Sequence, residues 1–166
     1  MTNDKENGIF DQLSDLLKSK GIDFRVLTHA PAYTSAQSAA ARGVSLHAGA
    51  KALVVKANDN FLMIVVPADF SLDNKATKRE LHAKSFRFAN EPEVFSLTSL
   101  KPGAIPPFGS LFNLQTFCDR RLEDNETIYF NAGSHSRSIA MGFADYLTVE
   151  HPSLGFFGKA QPIQEG

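Results

Sequence analysis

Two apolar, β-branched runs separated by a short polar break constrain this chain most. Residues 52–56 read Ala-Leu-Val-Val-Lys and residues 61–66 read Phe-Leu-Met-Ile-Val-Val, with Asn58-Asp59-Asn60 between them. That pattern predicts a β-hairpin closed at the asparagines and ended by Pro67. Neither run alternates with polar residues, so the pair must be covered on both faces. Covering it takes a substantial domain. The 166 residues suffice, since a chain of this size buries roughly two-thirds of its unfolded surface. A hydrophobic share of 43% and a charged share of 21% are those of a globular protein and exclude a fibre or a disordered chain. The longest apolar run is strand-length, far short of the ~20 residues of a membrane span.

The remaining elements follow from periodicity and punctuation. Ile9, Leu13, Leu16 and Leu17 repeat at helical spacing, and Gly21 stops a helix over about 8–20. Residues 24–27 read as a short strand, and Thr34 or Ser35 caps an Ala-rich helix ending before Gly43. Ser71 or Asp73 caps a basic helix to about His82, residues 86–88 alternate as a strand, and Asn90-Glu91-Pro92-Glu93 opens another helix. Residues 111–118, 127–131, 138–141 and 146–149 read as strands, and residues 101–109 as a loop. The expected fold is α+β in a single domain: a mixed, largely antiparallel β-sheet flanked by helices. Residues 1–151 form the domain and residues 152–166 a loose C-terminal tail.

Familiar catalytic signatures are missing: there is no GxGxxG, P-loop, HExxH or GxSxG. The five histidines have no metal-ligand spacing, and one cysteine excludes an internal disulfide, so neither a metal nor a cofactor is expected. Cys118 as a nucleophile needs a base and an electropositive setting; a lone strand cysteine is more often a small buried hydrophobe. Ser134 and His135 are adjacent, and adjacent residues of an extended segment point to opposite faces. Net charge is −1, which argues no nucleic-acid partner by itself, although Lys75, Lys78, Arg79, Lys84 and Arg87 cluster against Glu80 alone. That cluster is either a phosphate contact or a solvated helix face. The polar N-terminus lacks a signal-peptide core, so a cytoplasmic location and no membrane partner are expected.

Three features are less easily read as packing. Lys51 leads into the apolar hairpin and must lie at a rim or be paired. The loop Gly103-Ala104-Ile105-Pro106-Pro107-Phe108-Gly109 is stiff and can present backbone N–H groups to a carbonyl, or is a structural turn. Phe130-Asn131-Ala132-Gly133-Ser134 passes from a strand into small residues and either walls a small pocket or makes a tight turn.

In that order, with Thr28-His29-Ala30-Pro31, Tyr33-Thr34-Ser35, Ala50-Lys51-Ala52-Leu53-Val54-Val55-Lys56, Val65-Val66-Pro67-Ala68-Asp69, Ala89-Asn90-Glu91-Pro92-Glu93-Val94 and Cys118-Asp119, these features resemble the YbaK/prolyl-tRNA-synthetase-associated editing-domain family over about residues 8–150. This is the Cys-tRNA(Pro)/Ala-tRNA(Pro) deacylase type. The resemblance implies a freestanding hydrolase that removes a mischarged small amino acid from aminoacyl-tRNA in trans. Such editing is needed because a synthetase pocket gains only ~1–3 kcal/mol per methylene. It implies Lys51 as the catalytic residue, holding the terminal phosphate or ribose and stabilising charge on the attacked ester. It implies substrate contacts from His29, Tyr33, Thr34, the loop residues Gly103, Pro106, Pro107, Phe108 and Gly109, and Asn131, Gly133, Ser134 and Ser136. The chemistry is expected to be substrate-assisted, without a strong protein nucleophile.

Cysteine-specific relatives carry a Gly-Gly-Lys-Arg-like stretch where this chain has Asn131-Ala132-Gly133-Ser134-His135-Ser136. Alanine, cysteine, serine, threonine and a non-protein amino acid therefore all remain open as the group released. The expected partner is a mischarged aminoacyl-tRNA, with a synthetase as a second candidate; the oligomeric state is open. The competing readings are a non-catalytic tRNA- or synthetase-binding module and a hydrolase of another small ester or amide.

Overall fold

The structure, a computed structural model, describes residues 3–161, with side chains from residue 8 onward. The predicted hairpin is its centre. Strands β2 (Ala50–Ala57) and β3 (Asn60–Pro67) pair antiparallel over their full lengths, with Ala57 opposite Asn60. Asn58 turns the chain at φ 52°, a left-handed conformation that asparagine tolerates, and its side chain accepts from the Lys84 N–H at 3.2 Å. Both faces are covered, as the missing alternation requires. Val54, Met63 and Val65 point into one apolar cluster; Val55, Leu62, Ile64 and Val66 point into another.

The hairpin sits inside a five-stranded mixed sheet ordered β5-β2-β3-β6-β9. Strand β5 (Phe86–Phe88) pairs antiparallel with β2, while β6 (Thr116–Asp119) runs parallel to β3 and β9 (Ser153–Gly155) parallel to β6. A second sheet, β1-β8-β7, is wholly antiparallel and built from β1 (Phe24–Thr28), β7 (Thr127–Asn131) and β8 (Arg137–Gly142). A third pairs β4 (Phe70–Leu72) with β10 (Gly158–Ala160). The strands thus divide among three sheets within the expected α+β class.

Helices α1 (Asn3–Ser19), α2 (Ser35–Arg42), α3 (Asn74–Leu81), α4 (Glu91–Thr98) and α5 (Phe143–Glu150) flank them. Leu13 and Leu17 of α1 are fully buried in the first cluster with Phe130 and Tyr146. The caps are those the sequence announces. Thr34 and Asn90 each close a capping box with the N3 side chain, Gln37 and Glu93, and Asp73 accepts from Ala76 N–H. No helix among the described residues is long and apolar enough to cross a membrane.

Three expectations are corrected. The apolar residues of 146–149 belong to α5, not to a strand: Phe143, Tyr146 and Leu147 all reach the core, and a short apolar run carries either period. The strand expected over 111–118 is only β6; Gly109–Phe112 is a 3-10 turn, and the Gly109 N–H donates to the Thr116 hydroxyl at 2.9 Å. Residues 153–160 are not a loose tail. They form β9 and β10, while 162–166 lie outside the described residues.

What holds this C-terminal segment is Asp119. Its carboxylate is fully buried and accepts from the Phe157 and Gly158 N–H groups, each at 2.9 Å, and from the Arg121 guanidinium at 2.8 and 2.7 Å. Burial alone raises its pKa, but these hydrogen bonds outweigh burial and hold it below the ordinary carboxylate value. Asp119→Asn puts an amide N–H against donors and is expected to cost about 3 kcal/mol of unfolding free energy at neutral pH. Because the folded pKa is the lower one, this contribution is present above about pH 4 and fades as pH falls through the folded value. Urea unfolding of both proteins at pH 7 and pH 3 measures this, and a gap that stays constant between them contradicts the assignment.

Candidate functional site

A cleft of about 340 Å³ opens where β2 meets α2, β5 and the loop before the prolines. Ala50, Ala52, Leu53 and Val54 of β2, with Val94 and Ile105, make an apolar wall. Helix α2 contributes Ser35, Ser38 and Arg42 from one face, and Thr34 precedes them. Pro102, Gly103 and Asn131 close the cleft, and Gly49 lies in its lining. Only glycine fits at position 49, since a Cβ there would lie 2.9 Å from the Ala68 Cβ.

Lys51 is inside strand β2, one residue past its start, and half-buried in this lining. Its ammonium donates to the Phe70 carbonyl at 2.6 Å. Burial lowers its pKa, and the nearby Asp69 carboxylate offsets part of that shift. The turn carrying Asp69 and Phe70 is clamped from behind by His47. The imidazole faces Asp69 through Nδ1 at 2.9 Å and Asp124 through Nε2 at 3.1 Å. Burial opposes protonation of His47, but the two carboxylates outweigh it and raise its pKa. The Asn125 side chain donates to the His47 carbonyl at 3.0 Å and completes the clamp.

The second cation is Arg42, which the sequence presents only as the last residue of an Ala-rich helix. Its Nε donates to the Ser138 hydroxyl and its guanidinium NH2 to the Asn131 Oδ1, each at 2.9 Å. Burial brings its pKa down to about 10. No carboxylate pairs with it among the described residues. Asn131 donates in turn to the Gly103 carbonyl at 2.6 Å, and Ser138 meets His29 Nε2 at 2.9 Å. One polar chain therefore ties α2, β7, β8 and the Gly103 turn. Arg42 and Ser138 were not legible as site residues, because Ser138 meets Asn131 only through the pairing of β7 with β8, and Arg42 meets both only through the packing of α2 against that pair.

Of the residues predicted for the site, Lys51, Tyr33, Thr34, Gly103 and Asn131 line the cleft. His29, Gly133, Ser134 and Ser136 gather at the β7–β8 turn beside it. His29 N–H donates to the Ser136 carbonyl at 2.9 Å, Gly133 N–H to the Ala104 carbonyl at 2.8 Å, and the two serine hydroxyls lie 3.3 Å apart. Pro106, Pro107, Phe108 and Gly109 are buried away from it. Phe108 packs edge-on to Phe130 and Tyr146, and the Tyr146 hydroxyl donates to the Pro107 carbonyl at 2.7 Å. The second half of the stiff loop is thus core, and its first half, at Gly103, is wall. Gly103 holds φ +89° with His135 against it, and His135 stacks on the exposed Tyr33 ring at 4.8 Å.

The other candidates lie elsewhere. Cys118 is fully buried, and burial pushes its thiol pKa up, so it is a core residue. Lys75, Lys78, Arg79, Lys84 and Arg87 are exposed outside the cleft, and Arg87 forms a bidentate pair with Glu93 at 2.7 and 2.9 Å. Among the described residues no three histidine, cysteine or carboxylate side chains converge as metal ligands.

The Aminoacyl-tRNA editing domain family model matches residues 29–149. The multifunctional Ser/Thr-tRNA deacylase ProXp-y of Escherichia coli K12 is 37% identical over 153 residues, covering 89% of this chain and 92% of that protein. The proline–tRNA ligase of Bacillus subtilis is 26% identical over 125 residues, covering 74% of this chain but only 22% of the ligase. The crystal structure of a candidate trans-editing enzyme for prolyl-tRNA synthetase superposes with a TM-score of 0.80 at 19% identity, covering 91% of this chain and 97% of that one, and so shares the fold. With most of its length matched by the family model and by a relative of similar size, the chain belongs to the aminoacyl-tRNA editing domain family.

Proposed function

We propose that this protein is an aminoacyl-tRNA deacylase acting in trans, which hydrolyses the ester of a mischarged small amino acid, serine or threonine. One observation carries the reading: two half-buried cations from different elements, Lys51 and Arg42, line a single cleft whose remaining walls are small and apolar or hydroxylated. Positive charge in such a cleft attracts the phosphate and ribose of a tRNA 3′ end. The small walls fit a small aminoacyl group. The similarity to the E. coli Ser/Thr-tRNA deacylase supports the choice of amino acid.

Lys51 is the group we place at the reacting end. Its hydrogen bond to the Phe70 carbonyl fixes the direction of the ammonium and leaves two N–H donors for substrate. Those donors hold the terminal phosphate or ribose and stabilise the negative charge that develops as the ester carbonyl is attacked. A water oxygen adds to the carbonyl carbon, and the bond to the ribose oxygen breaks. The ribose oxygen leaves with a proton, and the amino acid departs as its carboxylate with one proton released to solvent. The neighbouring ribose hydroxyl relays that proton, so the protein need not supply a nucleophile. The buried Cys118 and the mutually bonded Ser134 and Ser136 hydroxyls agree with this division of labour. Arg42 acts one step back, holding Asn131 and through it the Gly103 turn against the substrate.

Lys51→Ala is expected to abolish release of serine from seryl-tRNA and threonine from threonyl-tRNA, with its circular dichroism unchanged. Retained hydrolysis in this variant contradicts the assignment, and no release by the wild-type protein from any aminoacyl-tRNA moves the reading to a tRNA- or synthetase-binding module. Arg42→Lys keeps the charge but loses the planar fork that reaches Ser138 and Asn131 from two separate nitrogens, and is expected to lower kcat by about tenfold through the displaced wall. A loss confined to KM would instead make Arg42 a simple phosphate contact. Binding of uncharged tRNA is expected to weaken with salt at a log–log slope of about −0.7 per phosphate engaged, read by fluorescence titration.

A further inference from the structure

The face of α2 turned to the cleft carries hydroxyls where an amphipathic helix ordinarily carries aliphatic residues. Their situations differ. The Thr34 hydroxyl serves the helix cap, accepting from the Gln37 N–H at 3.0 Å. Ser38 is 6% exposed, and its hydroxyl makes no hydrogen bond to any described residue. The Thr34 carbonyl one turn back takes the Ser38 N–H, at 2.9 Å, not the side chain. Every side-chain nitrogen or oxygen sealed from solvent among the described residues has a partner. The Ser38 oxygen therefore keeps its access through the cleft that it lines.

Ser35, also on that face, has an unbonded hydroxyl too but is only half-buried, whereas the other polar groups of the wall are engaged. Asn131 accepts from Arg42 and Ser138 and donates to the Gly103 carbonyl. Ser138 is fully buried between His29 and Arg42. Ser38 is the buried one of the two unbonded hydroxyls on that face, and offers both an unused donor and an unused acceptor inside a largely apolar enclosure. Leaving such a group unpaired beside a bound ligand is unfavourable, whereas a ligand hydroxyl satisfies it.

We propose that Ser38 is a specificity-determining residue: its hydroxyl hydrogen-bonds the side-chain hydroxyl of the bound aminoacyl group and so favours serine and threonine over alanine. This rests on the deacylase reading above. A site built to pair a substrate hydroxyl disfavours the analogue lacking it, because the buried partner is then left unsatisfied.

The test is single-turnover deacylation, with protein in excess, of seryl, threonyl and alanyl esters of one tRNA. In Ser38→Ala the ratio of seryl to alanyl rate is expected to fall about tenfold, and the threonyl to alanyl ratio likewise. Ser38→Thr, which keeps a hydroxyl, is expected to retain the preference, and thermal melting checks that each variant is folded. Equal loss on all three esters, or unchanged ratios, overturns the assignment while leaving the deacylase reading intact. A wild-type protein that releases none of the three amino acids overturns both.

Discussion

Two-sided burial of the β2–β3 hairpin is the constraint from which the rest of this structure follows. A strand pair with apolar side chains on both faces cannot stand at a surface. One face is covered by α1, α5 and the β1-β8-β7 sheet, the other by β4, Phe157, Leu81 at the end of α3 and Ala83 just after it. The parallel neighbours β6 and β9 extend the same sheet and draw the end of the chain back to its centre. Asp119 at the end of β6 is the polar counterpart of that packing, since one buried carboxylate satisfies the backbone of residues 157 and 158.

The site is placed by the same constraint. Lys51 lies on an inner strand of the five-stranded sheet, paired on both sides, so its stem is fixed and its ammonium is only half desolvated. The Phe70 carbonyl takes one of its hydrogen bonds, and Asp69 limits the cost of burying the charge. His47 then ties Asp69 to Asp124, joining the turn behind the lysine to the segment that follows β6. Arg42 performs the matching task across the cleft by joining α2 to β7 and β8. Both cations are therefore oriented by the backbone and side chains around them, as preorganised electrostatic stabilisation requires.

Much of this was legible before the structure. The hairpin and the caps at Thr34, Asp73 and Asn90 are local signals: each depends on residues within a few positions of one another. The misread elements share one cause. The apolar run at 146–149 is too short for its period to decide between helix and strand, and only the core behind Tyr146 does so. The segment 153–160 is poor in strand formers and pairs only because β6 and β4 offer free edges and Asp119 holds the turn between β9 and β10. The Gly103–Gly109 loop was seen as one unit, yet packing divides it, with Gly103 against the cleft and Phe108 in the core.

The sequence by itself determined the fold class, the central hairpin, the starts of α2, α3 and α4 and the family, because these are written in short-range patterns of burial, capping and turn chemistry. Only the tertiary structure decided that Arg42, Asn131 and Ser138 form one polar chain, that Lys51 is held by the Phe70 carbonyl, and that Ser38 lines the cleft. Those relations join residues far apart in the chain. They exist only when strand pairing sets the distances, and neither composition nor spacing records which buried polar groups will meet a partner.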